Sequence, residues 1–312
     1  MSSLFKIERV AVLGTGVMGS QIAAHLTNAK IPVYAFDISQ DVSQKGLDDS
    51  LKLKPSAYYN PKSIDLITPL NYNDDLDKIS ECDWVIEVIA ERLDWKIDLY
   101  KKIRPFLKSD AIVTSNTSGI SISALIEGMD GDMASNFFIT HFFNPPRYLR
   151  LLEIVGSNNS NIKFKNDLIE FCDHMLGKSV IDCKDTPGFI GNRIGVFWMM
   201  VAAERAIKMG LNVEEADTII STVFGAPKTG IFGLLDLVGL DLMPHVMSSM
   251  TENLDKNDEY NLYSKPPEIF DYMLENKLIG RKGIGGFYKL ENVNGKRIKT
   301  SINLITKEFS ES

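Results

Sequence analysis

Cysteine is scarce in this chain. The three copies among 312 residues, Cys82, Cys172 and Cys183, are an odd number without metal-type spacing. They predict no disulfide framework and no metal site, only reduced thiols in a cytoplasmic protein. Long apolar runs are also missing. The longest, Val196 to Ala203, falls far below the ~18 to 20 residues of a membrane span, so no transmembrane helix is expected. Glu8 and Arg9 interrupt any leader-like apolar core at the start of the chain. Positive charge is not in excess: 34 Lys+Arg stand against 41 Asp+Glu, for a formal charge of -7 and a pI of about 5.3. That balance supplies no global basic field for nucleic acid or an anionic membrane, and any phosphate has to be met locally. Low complexity is absent as well, since 44% of residues are hydrophobic, 24% are charged, and the 22 Gly and 12 Pro are ordinary. A collagenous or largely disordered chain is excluded, and a compact soluble protein is expected.

At about 150 residues per domain the length suits two domains. Short β-branched runs at Val10 to Leu13, Val33 to Asp37, Trp84 to Ile89, Ala111 to Thr114, Phe137 to His141 and Val180 to Cys183 alternate with helical patterns such as Leu93 to Leu107 and Lys165 to Leu176. Such alternation implies parallel strands joined by crossover helices. Beyond Asp185-Thr186-Pro187-Gly188 the pattern changes to helices alone, at Ile190 to Met209, Val213 to Ser221, Leu234 to Met250 and Pro267 to Glu275. From Glu291 the tail is polar apart from Ile302 to Ile305, as in a docked extension or the start of a missing segment.

The first strand runs straight into Gly14-Thr15-Gly16-Val17-Met18-Gly19, and a helix-forming stretch follows from Gln21. Gly14 permits a tight turn, Gly16 lets the backbone approach a pyrophosphate, and Gly19 allows close helix packing, while the helix N-terminus faces the anion. The second strand ends in Asp37, near the ~20-residue offset at which a carboxylate takes the adenosine ribose hydroxyls. Ile38, Ser39 and Gln40 supply no arginine for a 2'-phosphate, so the expected cofactor is NAD and not NADP. The expected class is α/β: a Rossmann-type doubly wound, mostly parallel sheet over residues 1–186, an all-α domain over 187–290 and the tail 291–312.

Hydride transfer to or from an alcohol also needs a group for the hydroxyl proton. Four histidines are present. His25, His174 and His245 lie in helical patterns and suit core or surface roles. His141 ends a strand ahead of Phe142-Phe143-Asn144-Pro145-Pro146, at the carboxyl edge where open α/β sheets bind ligands; the alternative is a strand-end histidine that caps the sheet. These segments, together with Ser115-Asn116-Thr117-Ser118, Leu152-Glu153-Ile154-Val155, Lys184-Asp185-Thr186-Pro187-Gly188-Phe189 with Asn192-Arg193, and Gly285-Gly286-Phe287-Tyr288, resemble the L-3-hydroxyacyl-CoA dehydrogenase family in order and spacing.

The resemblance implies that His141 is the general base, that Glu153 pairs with its other ring nitrogen, and that Ser118 and Asn192 hydrogen-bond substrate oxygens. It further implies a cofactor set that adds Glu91 and Lys96, on the nicotinamide ribose side, and Asn116, Ser118 and Asn144 to Gly14, Gly16, Val17, Met18, Gly19 and Asp37. The spacing of Glu153 agrees, leaving room for a turn and a returning strand; the alternative is a solvated strand-end acid. Ser118 suits either a substrate contact or the N-cap of a helix over Ile120 to Ile126. Asn is a poor helix former, which favours a site role for Asn192. The stretch Asp41 to Asp83 is shorter than the family's helical hairpin and is broken by Pro55 and Pro61; Lys52 and Lys54, with Lys45 and Lys62, suit either CoA phosphates or a solvated helix face. The whole looks most like a subgroup in which this unit fronts a longer β-oxidation protein with a hydratase domain, which has no counterpart in this sequence. The implied activity is NAD-dependent oxidation of an L-3-hydroxyacyl-CoA, in fatty-acid metabolism, by a homodimer that pairs through its helical domain. Alternatives are a dehydrogenase of a free 3-hydroxy or sugar acid, and a non-catalytic NAD-binding module.

Overall fold

The computed structural model describes residues 6–224, 228–293 and 296–312. Contacts group the chain into two units, Met1–Phe189 and Ile190–Ser312. The first contains β1 (Val10–Leu13), α1 (Val17–Asn28), β2 (Val33–Asp37), α2 (Gln40–Leu51), β3 (Ile67–Asn71), β4 (Trp84–Glu87), α3 (Leu93–Ile103), β5 (Ile112–Ser115), α4 (Ile122–Leu125), α5 (Gly131–Ser135), β6 (Phe137–Phe142), β7 (Leu151–Val155), α6 (Ile162–His174) and β8 (Ser179–Cys183). They form one sheet in the order β3-β2-β1-β4-β5-β6-β7-β8. Neighbours from β3 through β6 are parallel, β7 runs antiparallel to β6, and β8 is parallel to β7.

Alternation along the buried strands builds two separate cores. Val10, Val12, Trp84 and Ile86 pack with Ile22, Leu26 and Phe171 of α1 and α6. Their neighbours Ala11, Leu13 and Val85 pack with Leu99, Ile103 and Leu125 of α3 and α4. Since the chain winds outward from β1 in one direction to β3 and then returns to place β4 on the other side, a crevice opens at the carboxyl edge between β1 and β4.

The second unit contains α7 (Gly191–Lys208), α8 (Val213–Val223), α9 (Phe232–Val238), α10 (Met243–Asn253), α11 (Glu268–Glu275), β9 (Tyr288–Val293), β10 (Lys296–Ile302) and β11 (Phe309–Glu311). Two expectations change here. The helix expected over Leu234 to Met250 is broken by Gly239, whose φ of +97° belongs to the left-handed region that glycine tolerates best. The unit is also not purely helical: the tail forms an antiparallel sheet, β11-β10-β9, and belongs to this unit. Ile302 and Leu304 are buried in the core that Phe232, Phe270 and Phe287 share. Buried Asp236 fastens the start of this sheet by accepting from the N–H groups of Phe287 (2.8 Å) and Tyr288 (2.9 Å).

Candidate active site

At the carboxyl end of β1, side chains are excluded by backbone. Gly14 has φ +104°, and a Cβ there would lie 2.7 Å from the Val88 carbonyl; a Cβ on Gly19 would lie 1.8 Å from the Gly14 carbonyl. Nothing lies within 4 Å of the Cβ position of Gly16, so the turn is open on that side. Gly16 is the N-cap of α1, and the first turn of that helix, Val17 and Met18 included, has neither a side-chain cap nor an acid. Its orphan N–H groups and the open glycine suit the pyrophosphate of a dinucleotide. Asp37, at the end of β2, is fixed beside this turn: the Thr15 N–H and hydroxyl both donate to its Oδ2 at 2.7 Å, and the Ile38 N–H donates to Oδ1 at 2.8 Å.

Across the crevice, β4 ends in Glu87, a buried residue that the sequence reading passed over. Its carboxylate accepts from Lys96 Nζ (2.6 Å), Tyr100 (2.7 Å), Ser115 (2.6 Å) and the Ile89 N–H (2.8 Å). The signal available in the sequence was an acid closing an apolar strand, Trp84-Val85-Ile86-Glu87. Glu91 gathers the turn after β5, accepting from the Thr117 hydroxyl (2.5 Å) and the N–H groups of Ser118 (2.9 Å) and Gly119 (3.1 Å). Burial pushes its carboxyl pKa up, but Lys96 and these donors outweigh burial and hold it below the ordinary value. Lys96 lies inside this network, 1% exposed, with Nζ 3.5 Å from Glu91. It is thus turned inward toward two carboxylates. Ser118 does not cap a helix either, since α4 is capped by Ser121. Asn116 bridges strands, its Oδ1 accepting from the Phe142 N–H at 2.9 Å.

The reversal between β6 and β7 sets His141 opposite Glu153 in register, with Nδ1 2.7 Å from Oε2 and both side chains buried. A carboxylate can only accept, so Nδ1 carries the proton and the ring is oriented. The Cys183 thiol stands 3.8 Å from the other carboxylate oxygen, and the rings of Phe143 and Phe189 lie 4.4 and 5.8 Å from the imidazole. Asn144 is reached from α1: Gln21 Nε2 donates to its Oδ1 at 3.1 Å and to the Val17 carbonyl at 2.8 Å.

Two expected residues of the first unit stand apart from this group, and a third lies in the second unit. Asn192 belongs to the second unit, near the start of α7. Lys52 caps the far end of α2, a 12-residue helix and therefore about 18 Å long, and pairs there with Asp49 at 2.8 Å. Lys54 follows it. The structure does not bring these two lysines to the carboxyl edge, because α2 carries the chain away from it.

A family model described as the NAD binding domain of 3-hydroxyacyl-CoA dehydrogenase matches residues 9–186, and one described as the C-terminal domain matches residues 188–290. The chain belongs to the 3-hydroxyacyl-CoA dehydrogenase family. NAD is the cofactor of its first domain. A putative fatty acid oxidation complex trifunctional enzyme of Rickettsia prowazekii is 44% identical over 96% of this chain but 42% of its own length. A probable 3-hydroxyacyl-CoA dehydrogenase of Deinococcus radiodurans is 38% identical over 91% of this chain and 83% of its own length. Among solved structures, FadB2 of M. tuberculosis superposes with a TM-score of 0.79 at 28% identity, covering 91% of this chain and 99% of that one. The chain spans about two fifths of the trifunctional relatives' length. Among the described residues no helix is long and apolar enough to cross a membrane, and no group of side chains is arranged for a metal ion.

In this dehydrogenase-family chain the segment after His141 is held by a buried lysine. Lys178 is 1% exposed. Its Nζ donates to the carbonyls of Pro146 and of Leu149, the latter at 3.0 Å, and lies 5.4 Å from the Phe142 ring centroid. Cys172 adjoins it, as does His25, whose pKa is pushed down to about 3 by its own burial and by Lys178. No carboxylate pairs with Lys178 among the described residues, and burial pushes its pKa down to about 8 from 10.5. Between those values the unfolded chain holds a proton that the folded chain has lost, so this group makes stability rise with pH across the window. Denaturant melts of wild type and Lys178→Met at about pH 7.5 and about pH 10 should differ increasingly in favour of wild type, by on the order of 2 kcal/mol. A pH-independent difference would refute the assignment.

Proposed function

We propose that this chain is an NAD-dependent dehydrogenase that oxidises an L-3-hydroxyacyl-CoA to the 3-ketoacyl-CoA. The buried His141–Glu153 pair carries the reading, because it lies at the carboxyl edge of the same sheet as the glycine turn. NAD, when bound, accepts the hydride from the carbinol carbon. With Nδ1 committed to Glu153, His141 takes the hydroxyl proton at Nε2, and the Glu153 carboxylate stabilises the imidazolium that results. Ser118 and Asn192 hold the substrate oxygens, Asn116 and Asn144 offer amide donors to the cofactor, and Asp37 receives the adenosine ribose. The names of the Rickettsia relatives support a place in fatty-acid oxidation. Chemically, a dehydrogenase of a free 3-hydroxy acid would need the same base, so the CoA portion has to be tested directly.

Acetoacetyl-CoA should oxidise NADH readily where free acetoacetate does not, and His141→Gln should lower kcat by about 10²- to 10⁴-fold while NADH still binds. Equal rates with the two oxidants would remove CoA from the reading; a variant with more than a tenth of wild-type rate, taking ~10-fold as the least a general base contributes, would remove the histidine.

The Asp37 carboxylate would repel a 2'-phosphate, so kcat/KM should favour NADH over NADPH by at least ~10-fold, equivalent to ~1.4 kcal/mol. Equal values would overturn the cofactor preference.

We further infer that the second unit pairs with a second copy of itself. Ile194, Met209 and Leu262 are 63%, 71% and 77% exposed on its helices and turns, and an obligate interface would cover more than ~2,000 Å² of such surface. Light scattering at low micromolar concentration should give twice the 34.9 kDa of one chain; the mass of one chain would sink the idea.

A further inference from the structure

The cofactor's two halves divide at the crevice. With Asp37 on β2 and the glycine turn after β1, a bound dinucleotide would have its adenosine half on the β2 side and its nicotinamide half on the β4 and β5 side of the switch point. What the protein presents on that second side is a charge cluster. Glu87 is the register neighbour of Leu13, the last residue of β1, and the Val88 N–H donates to the Leu13 carbonyl at 2.8 Å. Glu87 is therefore one residue removed from the turn that receives the pyrophosphate. Lys96 is shared between Glu87 at 2.6 Å and Glu91 at 3.5 Å. Tyr100 and Ser115 add neutral donors, and the nearby Arg92 is drawn off to Asp94 on the surface. Two carboxylates and one ammonium leave a single net negative charge, largely shielded from water.

Meeting the neutral donors around Glu87 would not require that charge. The Ile89 N–H and Lys96 address Oε1 and the Tyr100 and Ser115 hydroxyls address Oε2; a glutamine oxygen would take the first pair while its NH₂ faced the two hydroxyls, which can also accept. The carboxylate adds a field, and the two forms of the cofactor feel it differently, because the nicotinamide ring is a cation in NAD⁺ and neutral in NADH. We propose that Glu87 is a charge-tuning residue that strengthens binding of the oxidised cofactor relative to the reduced one, so that the bound nicotinamide is a weaker hydride acceptor, and its reduced form a stronger hydride donor, than the free cofactor. The proposal rests on NAD as cofactor and on its seating across this crevice. In an effective dielectric near 20, one unit charge acting across a separation on the order of 10 Å would shift an equilibrium by roughly tenfold.

The test is the ratio of two affinities measured in the same protein. NADH is titrated by its fluorescence, and NAD⁺ by displacement of NADH, in wild type, Glu87→Gln, Glu87→Asp and Lys96→Met. Glu87→Gln should weaken NAD⁺ relative to NADH by about fivefold or more. Glu87→Asp keeps the charge and should leave the ratio within about twofold of wild type. Lys96→Met leaves the cluster more negative and should move the ratio the other way. If Glu87→Gln fails to fold, the opposite-signed shift in Lys96→Met carries the decision. A merely structural role would change both affinities together, so an unaltered ratio in the charge variants overturns the proposal. A wild-type protein that binds neither form of the cofactor would instead overturn the reading of the crevice.

Discussion

A carboxylate withdrawn from water on a strand has to be surrounded by donors, and that requirement organises the carboxyl edge of this sheet, at half-buried Asp37 as at fully buried Glu87 and Glu153. Asp37 closes β2 and draws in Thr15 from the glycine turn. Glu87 closes β4 and draws in Lys96, Tyr100 and Ser115 from α3 and β5. Glu153, on β7, takes His141 from β6 and faces the Cys183 thiol from β8. Each acid ties neighbouring elements together at the point where a ligand would have to be gripped. Removing one partner of such a set strands a buried charge, whereas an exposed pair such as Lys52–Asp49 contributes little.

The same edge is also tied lengthwise. Asn116, after β5, accepts from the Phe142 N–H next to His141, and Gln21, in the helix that follows the glycine turn, reaches Asn144 three residues past His141. His141 is thus braced from both sides by segments that belong to the dinucleotide fingerprint and its neighbour. Since the amide oxygens of Asn116 and Asn144 each accept from a protein donor, the other half of each of these two side chains is its NH₂, a donor. A dinucleotide rich in acceptors fits that polarity.

Much of this could be read from the residues alone, for reasons that differ by element. The strands β1 and β2 are buried runs bounded by Gly14 and Asp37, and their limits follow from the sequence directly. His141 and Glu153 were legible as a strand-end histidine and an acid on the returning strand. Glu87 was not, because nothing local distinguishes an acid that closes a buried strand from one that starts a loop; its donors come from positions 96, 100 and 115. The pairing of Lys96 was not legible for the complementary reason, since its place at helical spacing is silent on which carboxylate reaches it. β3 contains Pro69, which weakens a strand signal, yet it lies at the edge of the sheet where a missing N–H is tolerated. The terminal sheet was missed because its solvated positions are charged, while Ile302 and Leu304 are buried against helices far back in the chain.

The charge distribution closes the argument about recognition. The chain carries a formal charge of -7, and its cofactor and a CoA ester are both anionic, so affinity cannot come from a general positive field. The buried cations at the edge are already committed: Lys96 to two carboxylates and Lys178 to two carbonyls. What remains for phosphate is backbone, in the form of the uncapped first turn of α1 and the open glycine that precedes it. Neutral N–H groups held rigidly by the exclusion of side chains at Gly14 and Gly19 are already oriented before any ligand arrives. They keep pyrophosphate binding compatible with a net negative cluster on the other side of the crevice.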